Sequence, residues 1–503
     1  MKLVLTADEM KLADSRMIHE IGVPSLVLME RAALQCVETM HEEKCDFSHT
    51  LVVCGSGNNG GDGFAIARML YEKSYDVDIV FVGSEKSRTA ETIQQINILN
   101  NLGITIGTTL PDKEYSIIID AVFGIGLCRS IEGRYKEVIE RMNKYRGYKV
   151  AVDIASGVSA DTGNILGTAF EADLTVTFAW GKIGHYLTPG CINSGKVVVK
   201  DIGITRPDWH EEKMHFLLDN RDLSVLMPER RPDSNKGTYG RLLVIAGSRG
   251  MSGAAYLAAK AAYKTGAGLV QIYTEESNRI ILQQLLPEAI ITTYDAGQKE
   301  PFDKLKDLLD WADNICLGSG IGISDLSIEL VKKVFSMNTK NCVIDADGLN
   351  ILAKLDECDL QHLNSGNYIL TPHMKEMSRI SGNSVNELKN DRLNLLKLYT
   401  DRYRVICVLK DSRTVVMGGS NPVFINTSGN QAMAKAGSGD VLAGIISGLL
   451  SQGLEPYKAA VTGVFLHGTA GDRARESCGS YSVLAEDLIS GIEESLKLME
   501  AQY

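Results

Sequence analysis

The chain has 503 residues, 44% of them hydrophobic, with 52 basic against 63 acidic side chains and a formal net charge of −11. That length exceeds what one core organises and predicts two domains, with room for a third, while the acidic balance argues against nucleic acid or an anionic membrane as the main partner. Ten cysteines without a Cys-x-x-Cys pair read as reduced thiols, and neither a signal-peptide pattern nor a run of about 18 apolar residues is present, so a cytoplasmic protein is expected.

In chain order, Thr6-Ala-Asp-Glu9 has the form of a capping box, so a helix is predicted from Ala7 towards Glu20, and a second over Pro24–Met40. Strand-like runs follow at Leu51–Cys54, Val77–Val82, Ile117–Ala121, Lys149–Asp153 and Leu174–Phe178. Helical stretches lie between most of them, which predicts a parallel sheet wound with helices. Val197–Asp219 ends a strand-like run, carries Pro207 and several charges, shows no clear periodicity, and is read as the linker. Beyond it come Arg241–Ala246, an alanine-rich helix over Gly253–Thr265, and further runs at Leu269–Tyr273, Ile315–Leu317, Cys342–Asp345, Tyr368–Thr371 and Val405–Leu409. The second half is therefore also predicted to be α/β, with its own core.

Open parallel sheets bind ligands beyond the carboxyl ends of their strands, and three polar segments of the first half fall there: Asn58-Asn-Gly-Gly-Asp62, Asp120-Ala-Val-Phe-Gly-Ile-Gly126 and Asp153-Ile-Ala-Ser-Gly157. The first lies within Gly55–Gly63, where five glycines in nine residues let a backbone approach a ligand. Read as G-x-G-x-x-G with Asp78 downstream, it is a weak dinucleotide fingerprint; a tight structural turn is the plainer alternative. In the second half, Gly437-Ser-Gly-Asp440 opens the small-residue run Val441–Gly448. Backbone N–H groups at such a helix start would form an anion hole for a phosphoryl group, with Asp440 placed to accept a proton from an attacking hydroxyl. The alternative is an acidic residue capping a glycine-rich helix start.

The Asn-Asn-Gly-Gly-Asp core and the two later loops resemble the epimerase domain of the bifunctional NAD(P)H-hydrate repair enzymes, over 1–215. The resemblance implies a Rossmann-like three-layer α/β domain. It implies that the hydrated nucleotide is held by Asn58, Asn59, Gly60, Gly61 and Asp62, with Gly124, Ile125, Gly126, Leu127, Cys128, Arg129 and Ser130. It also implies a potassium ion on Asn59, Asp120 and Ser156, and Asp153 as the substrate-contacting proton-transfer group. Ala155 departs from the proline usual in the family, which predicts a looser turn. Glu171–Phe178 with Lys182 and Gly184 also matches, without an assignable role.

Residues 222–503 resemble the ribokinase-like, ADP/ATP-dependent NAD(P)H-hydrate dehydratases, through Asn235–Ser248, Met251–Ala255, Val343–Asn350, Leu370–His373 and the Gly-x-Gly-Asp element. By that resemblance Ala254, Gly322, His373 and Asp440 contact the hydrate, Asp440 being the base. Lys410, Asp411, Ser412, Arg413, Thr414 and Gly439 bind the adenine nucleotide, and Mg2+ bridges its phosphates without an unambiguous protein ligand. His373-Met-Lys-Glu376 replaces the frequent His-Pro-Gly-Glu.

The expected function is repair of NADHX and NADPHX: epimerisation of the R and S hydrates, then dehydration of the S form with ADP, or ATP, as phosphoryl donor. A homo-oligomer is expected. The rival reading is a ribokinase-type small-molecule kinase fused to a non-catalytic nucleotide-binding or scaffold module.

Overall fold

The computed structural model describes residues 1–206 and 214–501. Part of the segment read as linker, 207–213, lies outside the described residues. The chain divides into two compact units, Leu3–His210, and Met1–Lys2 with Glu211–Tyr503.

The first unit holds β1 (Lys2–Leu5), β2 (Thr50–Cys54), β3 (Val77–Phe81), β4 (Ile106–Gly107), β5 (Ile117–Ala121), β6 (Tyr148–Val152), β7 (Leu174–Phe178), β8 (Gly181–Lys182) and β9 (Lys196–Lys200). Seven form a parallel sheet in the order β4-β3-β2-β5-β6-β7-β9, and β1 pairs with β8. Every residue of β2, β5 and β7 is buried, as expected for parallel strands covered on both faces. Alternation divides each strand between the two faces: Val52 and Cys54 enter one apolar cluster, Leu51 and Val53 the other. The result is a Rossmann-like three-layer domain. Thr6 and Glu9 form the reciprocal capping box, with Glu9 N donating to Thr6 Oγ1 at 3.2 Å and Thr6 N to Glu9 Oε2 at 2.7 Å. The regular α-helix stops at Arg16, and the stretch to Ile21 widens into a π-turn before Gly22.

The second unit holds β10 (His215–Leu217), β11 (Arg241–Ile245), β12 (Leu269–Glu275), β13 (Ile290–Tyr294), β14 (Asn314–Leu317), β15 (Asn341–Ile344), β16 (Tyr368–Leu370), β17 (Ile406–Leu409), β18 (Val415–Met417) and β19 (Val423–Ile425). Their order is β13-β12-β11-β14-β15-β16-β17-β18-β19-β10, with only β17–β18 and β18–β19 antiparallel. The alanine-rich helix Ser252–Thr265 packs on the helix Ser438–Ser451 at backbone distance. A Cβ at Gly444 would stand 2.2 Å from the Ala258 carbonyl oxygen, and one at Gly448 2.8 Å from that of Ala262. The glycines of the small-residue run Val441–Gly448 are thus the packing face of this second helix.

The segment read as a structureless linker contains most of β9 and all of β10, which pairs in parallel with β19. β13, β18 and β19 were not expected either. β18 and β19 have three residues each, too few for a period to show.

Candidate active sites

In the first unit a cleft of about 620 Å³ opens at the carboxyl ends of the central strands. Asn58–Asp62 is not a loop there but the first turn of the helix Asn58–Glu72. Its glycines set how closely that helix sits on the sheet: a Cβ at Gly60 would lie 2.0 Å from the Gly55 carbonyl oxygen, and one at Gly63 2.5 Å from Ala121 Cβ. Asn58, Asn59, Asp62 and the run Gly124–Arg129 line the cleft. Gly60 and Gly61 do not: Gly61 faces the Met29 side chain. Ser130 also turns away, its hydroxyl lying against Gly167.

Under the cleft floor, Asp120 is fully buried and accepts the Ser156 N–H and hydroxyl, both at 2.7 Å. The Phe123 N–H donates to the same Ser156 hydroxyl at 2.8 Å. Gly124 follows directly, and a Cβ on it would touch the Asn59 side chain at 3.3 Å. Asn59 is itself buried, and neither its amide oxygen nor its amide nitrogen has a hydrogen-bond partner. Burial raises the Asp120 carboxyl to about 6, opposed only by the neutral donors of Ser156 and Val122. A buried carboxylate without a counter-charge beside an orphaned amide is a donor set of hard oxygens that a large monovalent cation satisfies.

Asp153 follows β6 with φ +64°, a left-handed conformation that costs a branched-at-Cβ-free residue such as Asp least but still strains it. There its Oδ1 accepts Lys182 Nζ at 2.6 Å and the Thr177 hydroxyl at 3.0 Å. Lys182 is 1% exposed and spends its other protons on Thr177 Oγ1 at 2.7 Å and the Phe178 carbonyl at 3.3 Å. Burial pushes the Asp153 carboxyl up, but the Lys182 charge and hydrogen bond, helped by His185 and Thr177, hold it below the usual carboxylate range. The turn carrying Ala155 is closed by Val158 N donating to the Ala155 carbonyl at 3.0 Å and by Ser156 on Asp120. Asp78, by contrast, is tied up with Lys113 at 2.5 Å and Tyr115 at 2.6 Å and does not line the cleft. The simple dinucleotide fingerprint is thereby removed.

Lys182 is the residue that sequence reasoning saw without understanding. It is close in sequence to β7, but its role depends on a charge arriving from β6.

In the second unit the polar groups gather beyond β11 and β14–β17. The helix Ser438–Ser451 starts from Gly437 at φ +90°, which presents its first N–H groups outward. Asp440 stands in its first turn, and burial followed by the Asp345 carboxylate raises it to about 6, against the pull of Ser319 and Lys410. Lys410 Nζ lies 2.6 Å from Asp345 Oδ1 and 3.9 Å from Glu376 Oε2, and a Cβ on Gly439 would touch it at 3.4 Å. Thr371 donates to the same Asp345 oxygen at 2.7 Å. Asp345 and Asp347 flank Ala346, whose φ of +51° stores strain while directing the two carboxylates. Asp347 Oδ2 accepts the Gly322 N–H at 2.9 Å, so Gly322 joins the cluster. Ala254 packs on Gly320, where a Cβ would meet its own at 2.9 Å.

His373 caps the helix Met374–Ser381: its Nδ1 accepts the Lys375 and Glu376 N–H groups at 3.1 Å, and Glu376 Oε2 accepts the His373 N–H at 2.8 Å. The Met-Lys pair thus leaves the reciprocal His–Glu box in place. A bridge between His373 and Lys410 sets it beside the cluster. Asp411–Thr414 form the turn between β17 and β18, where Asp411 meets Arg392 at 2.8 Å and Arg413 donates to the Thr427 carbonyl at 2.8 Å. Asp345, not assigned a role from sequence, carries the same signal as Asp120 and Asp153, a carboxylate at the end of a buried parallel strand.

The fold and the two clusters define a two-headed α/β enzyme, a Rossmann-like domain with a lysine–carboxylate cleft followed by a ribokinase-like domain with Asp440 in the first turn of the helix Ser438–Ser451. The comparisons with known proteins agree with that class. The NAD(P)H-hydrate dehydratase family pattern matches residues 242–494, and that of the YjeF-related protein N-terminus residues 25–184. The chain is 34% identical to the bifunctional NAD(P)H-hydrate repair enzyme Nnr of Moorella thermoacetica, over 99% of this chain and 97% of that one. It is 33% identical to the enzyme of the same name from Escherichia coli, over 97% and 92%. Among solved structures, a ribokinase-like superfamily protein of Enterococcus faecalis V583 is similar with a TM-score of 0.51 and 25% identity, over 59% of this chain and 99% of that one. The chain belongs to the family of bifunctional NAD(P)H-hydrate repair enzymes.

Proposed function

We propose that the chain repairs hydrated nicotinamide nucleotides, NADHX and NADPHX, with 1–215 interconverting the R and S hydrates and 222–503 dehydrating the S form. The observation that supports this is the pairing of two differently tuned carboxyls in two separate sites: Asp153 held low by Lys182 at 2.6 Å, and Asp440 raised to about 6 in the first turn of the helix Ser438–Ser451.

In the first site the cleft walls Asn58, Asn59 and Asp62, with Gly124–Arg129, hold the nucleotide. Asp153 then meets the hydrated carbon as a base. Gly60, Gly61 and Ser130 act through the shape of the wall rather than by contact. A potassium ion would be held by Asn59, Asp120 and Ser156, where it would neutralise the buried carboxylate and fix the loop that carries Phe123 and Gly124.

In the second site the hydrate lies against Ala254, Gly322 and His373, with its hydroxyl at Asp440. The nucleotide lies along Lys410, Asp411, Ser412, Arg413, Thr414 and Gly439. Asp440 takes the hydroxyl proton as the oxygen attacks the terminal phosphorus of ADP or ATP, and the bond to the bridging oxygen breaks. The N–H groups of Gly437–Gly439 stabilise the charge on the transferring oxygens. Phosphate is a far better leaving group than hydroxide: it departs with the C–O bonding pair as the ring nitrogen's lone pair forms C=N, and loss of a ring proton restores the reduced nicotinamide. Mg2+ would arrive on the nucleotide phosphates, since no cluster of three or more acidic, histidine or cysteine ligands exists among the described residues. By resemblance to bacterial fusions ADP is the donor. A homo-oligomer and a cytoplasmic setting go with this reading; all ten cysteines are free thiols, and no described helix is long and apolar enough to cross a membrane.

The test is recovery of the reduced-nicotinamide absorbance from mixed R and S hydrates, with ADP or ATP present and absent. Complete, nucleotide-dependent recovery that Asp440→Asn abolishes is expected. A phosphorylated product that keeps its phosphate would instead mark a small-molecule kinase.

A further inference from the structure

The epimerase cleft contains more carboxylates than the reading above uses. Asp14, from the helix Ala7–Arg16, lines the same cavity as Asp153, Asp62 and Lys182, and approaches it from a different element than any of them. Met10, Ile18 and Leu28 add apolar surface to the same cavity. Lys182, the buried lysine of this cleft, has its hydrogen bonds committed to Asp153, Thr177 and Phe178. Asp14 is therefore not the partner of that lysine and is left for another task.

We propose that Asp14 is a second catalytic residue of the epimerase site, the general acid that protonates the departing hydroxyl while Asp153 takes a proton from the water that adds. The inference rests on the epimerase reading of the first unit. The hydrated carbon is bonded to the ring nitrogen, so its C–O bond can break with both electrons leaving on oxygen. The Asp14 proton turns that oxygen into water, and the nitrogen lone pair forms C=N. A water molecule then adds to the opposite face; its lone pair forms the new C–O bond, the C=N pair returns to nitrogen, and its extra proton passes to Asp153. Water leaves and water enters, and one proton has moved from Asp14 to Asp153, to be returned through solvent. The iminium formed between the two steps is a cation, and Asp153 with Asp14, which is a carboxylate once it has given up its proton, lines the cavity in which it forms, with the buried ammonium of Lys182 committed to Asp153.

The charged groups that line the cavity with Asp14 are Lys11 on its own helix, Asp62 on the helix Asn58–Glu72, Asp153 after β6, Lys182 on β8, and Arg129 on the loop after β5; of these Lys182, Asp153 and Asp62 act on its charge. Their balance agrees with the role. Burial raises Asp14 to about 6, Lys182 opposes this, and Asp153 adds to it; burial, with Asp153 and Asp14, pushes Asp62 well above the usual carboxylate range, while Asp153 is held low. Two carboxyls in one cavity with pKa values driven apart mark an acid and a base.

The experiment follows inversion of a purified single hydrate by the full-length protein, without nucleotide, resolved chromatographically across pH and in oxygen-18 water. The wild-type rate is expected to fall as pH rises through about 6, with one solvent oxygen incorporated per inversion. Asp14→Asn is expected to lower kcat about a hundredfold, to leave KM little changed, and to lose that basic limb, while Asp14→Glu restores it. An unchanged denaturant-unfolding transition of the first unit in each variant shows that the unit carrying Asp14 is folded; unchanged dehydration reports only the second unit. Asp14→Asn with wild-type kcat and an intact basic limb, or inversion with retention of oxygen, overturns the proposal and leaves the epimerase reading standing. A wild-type protein no faster than the uncatalysed reaction overturns both.

Discussion

Lys182 Nζ lies 2.6 Å from Asp153 Oδ1, with the lysine 1% and the aspartate 13% exposed. A buried pair of this kind is weak as a source of net stability but costly to break from one side, because the remaining charge is stranded. Lys182→Met is therefore expected to destabilise the first unit by about 3–5 kcal/mol, read by denaturant unfolding. The Asp153 pKa is lowered in the folded protein, so its contribution is present above the unfolded pKa and disappears as pH falls through the folded one. The acid limb of epimerisation should accordingly lie below the usual carboxylate range, and Lys182→Met should move it upward.

Asp440 has the opposite sign. Its pKa is raised to about 6, so the ionised form that the base requires is disfavoured by folding and costs stability at neutral pH. Dehydration is expected to fall as pH drops through about 6. Asp440→Asn should lose about 10²–10⁴-fold in dehydration rate while melting no lower than the wild type, and above neutral pH melting higher. A lower melting temperature would show that the carboxylate is structural.

The orphaned Asn59 amide and the uncompensated Asp120 predict a cation effect on the first unit. Potassium chloride should raise its melting temperature and epimerase rate relative to tetramethylammonium chloride. At a hundredfold excess over the dissociation constant the gain is about 2.7 kcal/mol. Asp120→Asn and Asn59→Ala should each abolish the difference, which differential scanning calorimetry in the two salts would record.

Gly60 has no room for a side chain, since its Cβ would stand 2.0 Å from the Gly55 carbonyl oxygen and nothing there can rotate away. Gly60→Ala should force the helix Asn58–Glu72 off the end of β2, costing about 1–3 kcal/mol and displacing Asn59. Epimerisation is expected to fall while dehydration is retained. Gly57→Ala, where the Cβ meets open space, is the control.

Much of this protein was legible in its sequence because the information is local or periodic. The buried strands Leu174–Phe178 and Ile117–Ala121 stand where their apolar runs end, and the capping box at Thr6 and Glu9 needs only four consecutive residues to be recognised. The Gly-Ser-Gly-Asp440 element likewise carries its own helix start. The short strands β10, β18 and β19 were not legible, because three residues have no measurable period and exist only through neighbours distant in the chain. The Asn58–Asp62 segment read as a loop because glycine and asparagine are poor helix formers; packing against β5 and the Gly55 turn overrides that propensity. What the sequence determined by itself was the kind of residue available at each strand end. Which carboxyl is held below its usual range and which are pushed above it was decided only by the tertiary structure. Lys182 holds Asp153 low through its charge and a hydrogen bond and opposes the rise of Asp14, while Asp120 meets only the neutral donors of Ser156 and Val122; these neighbours come from elements apart in the chain, so no local spacing announces them.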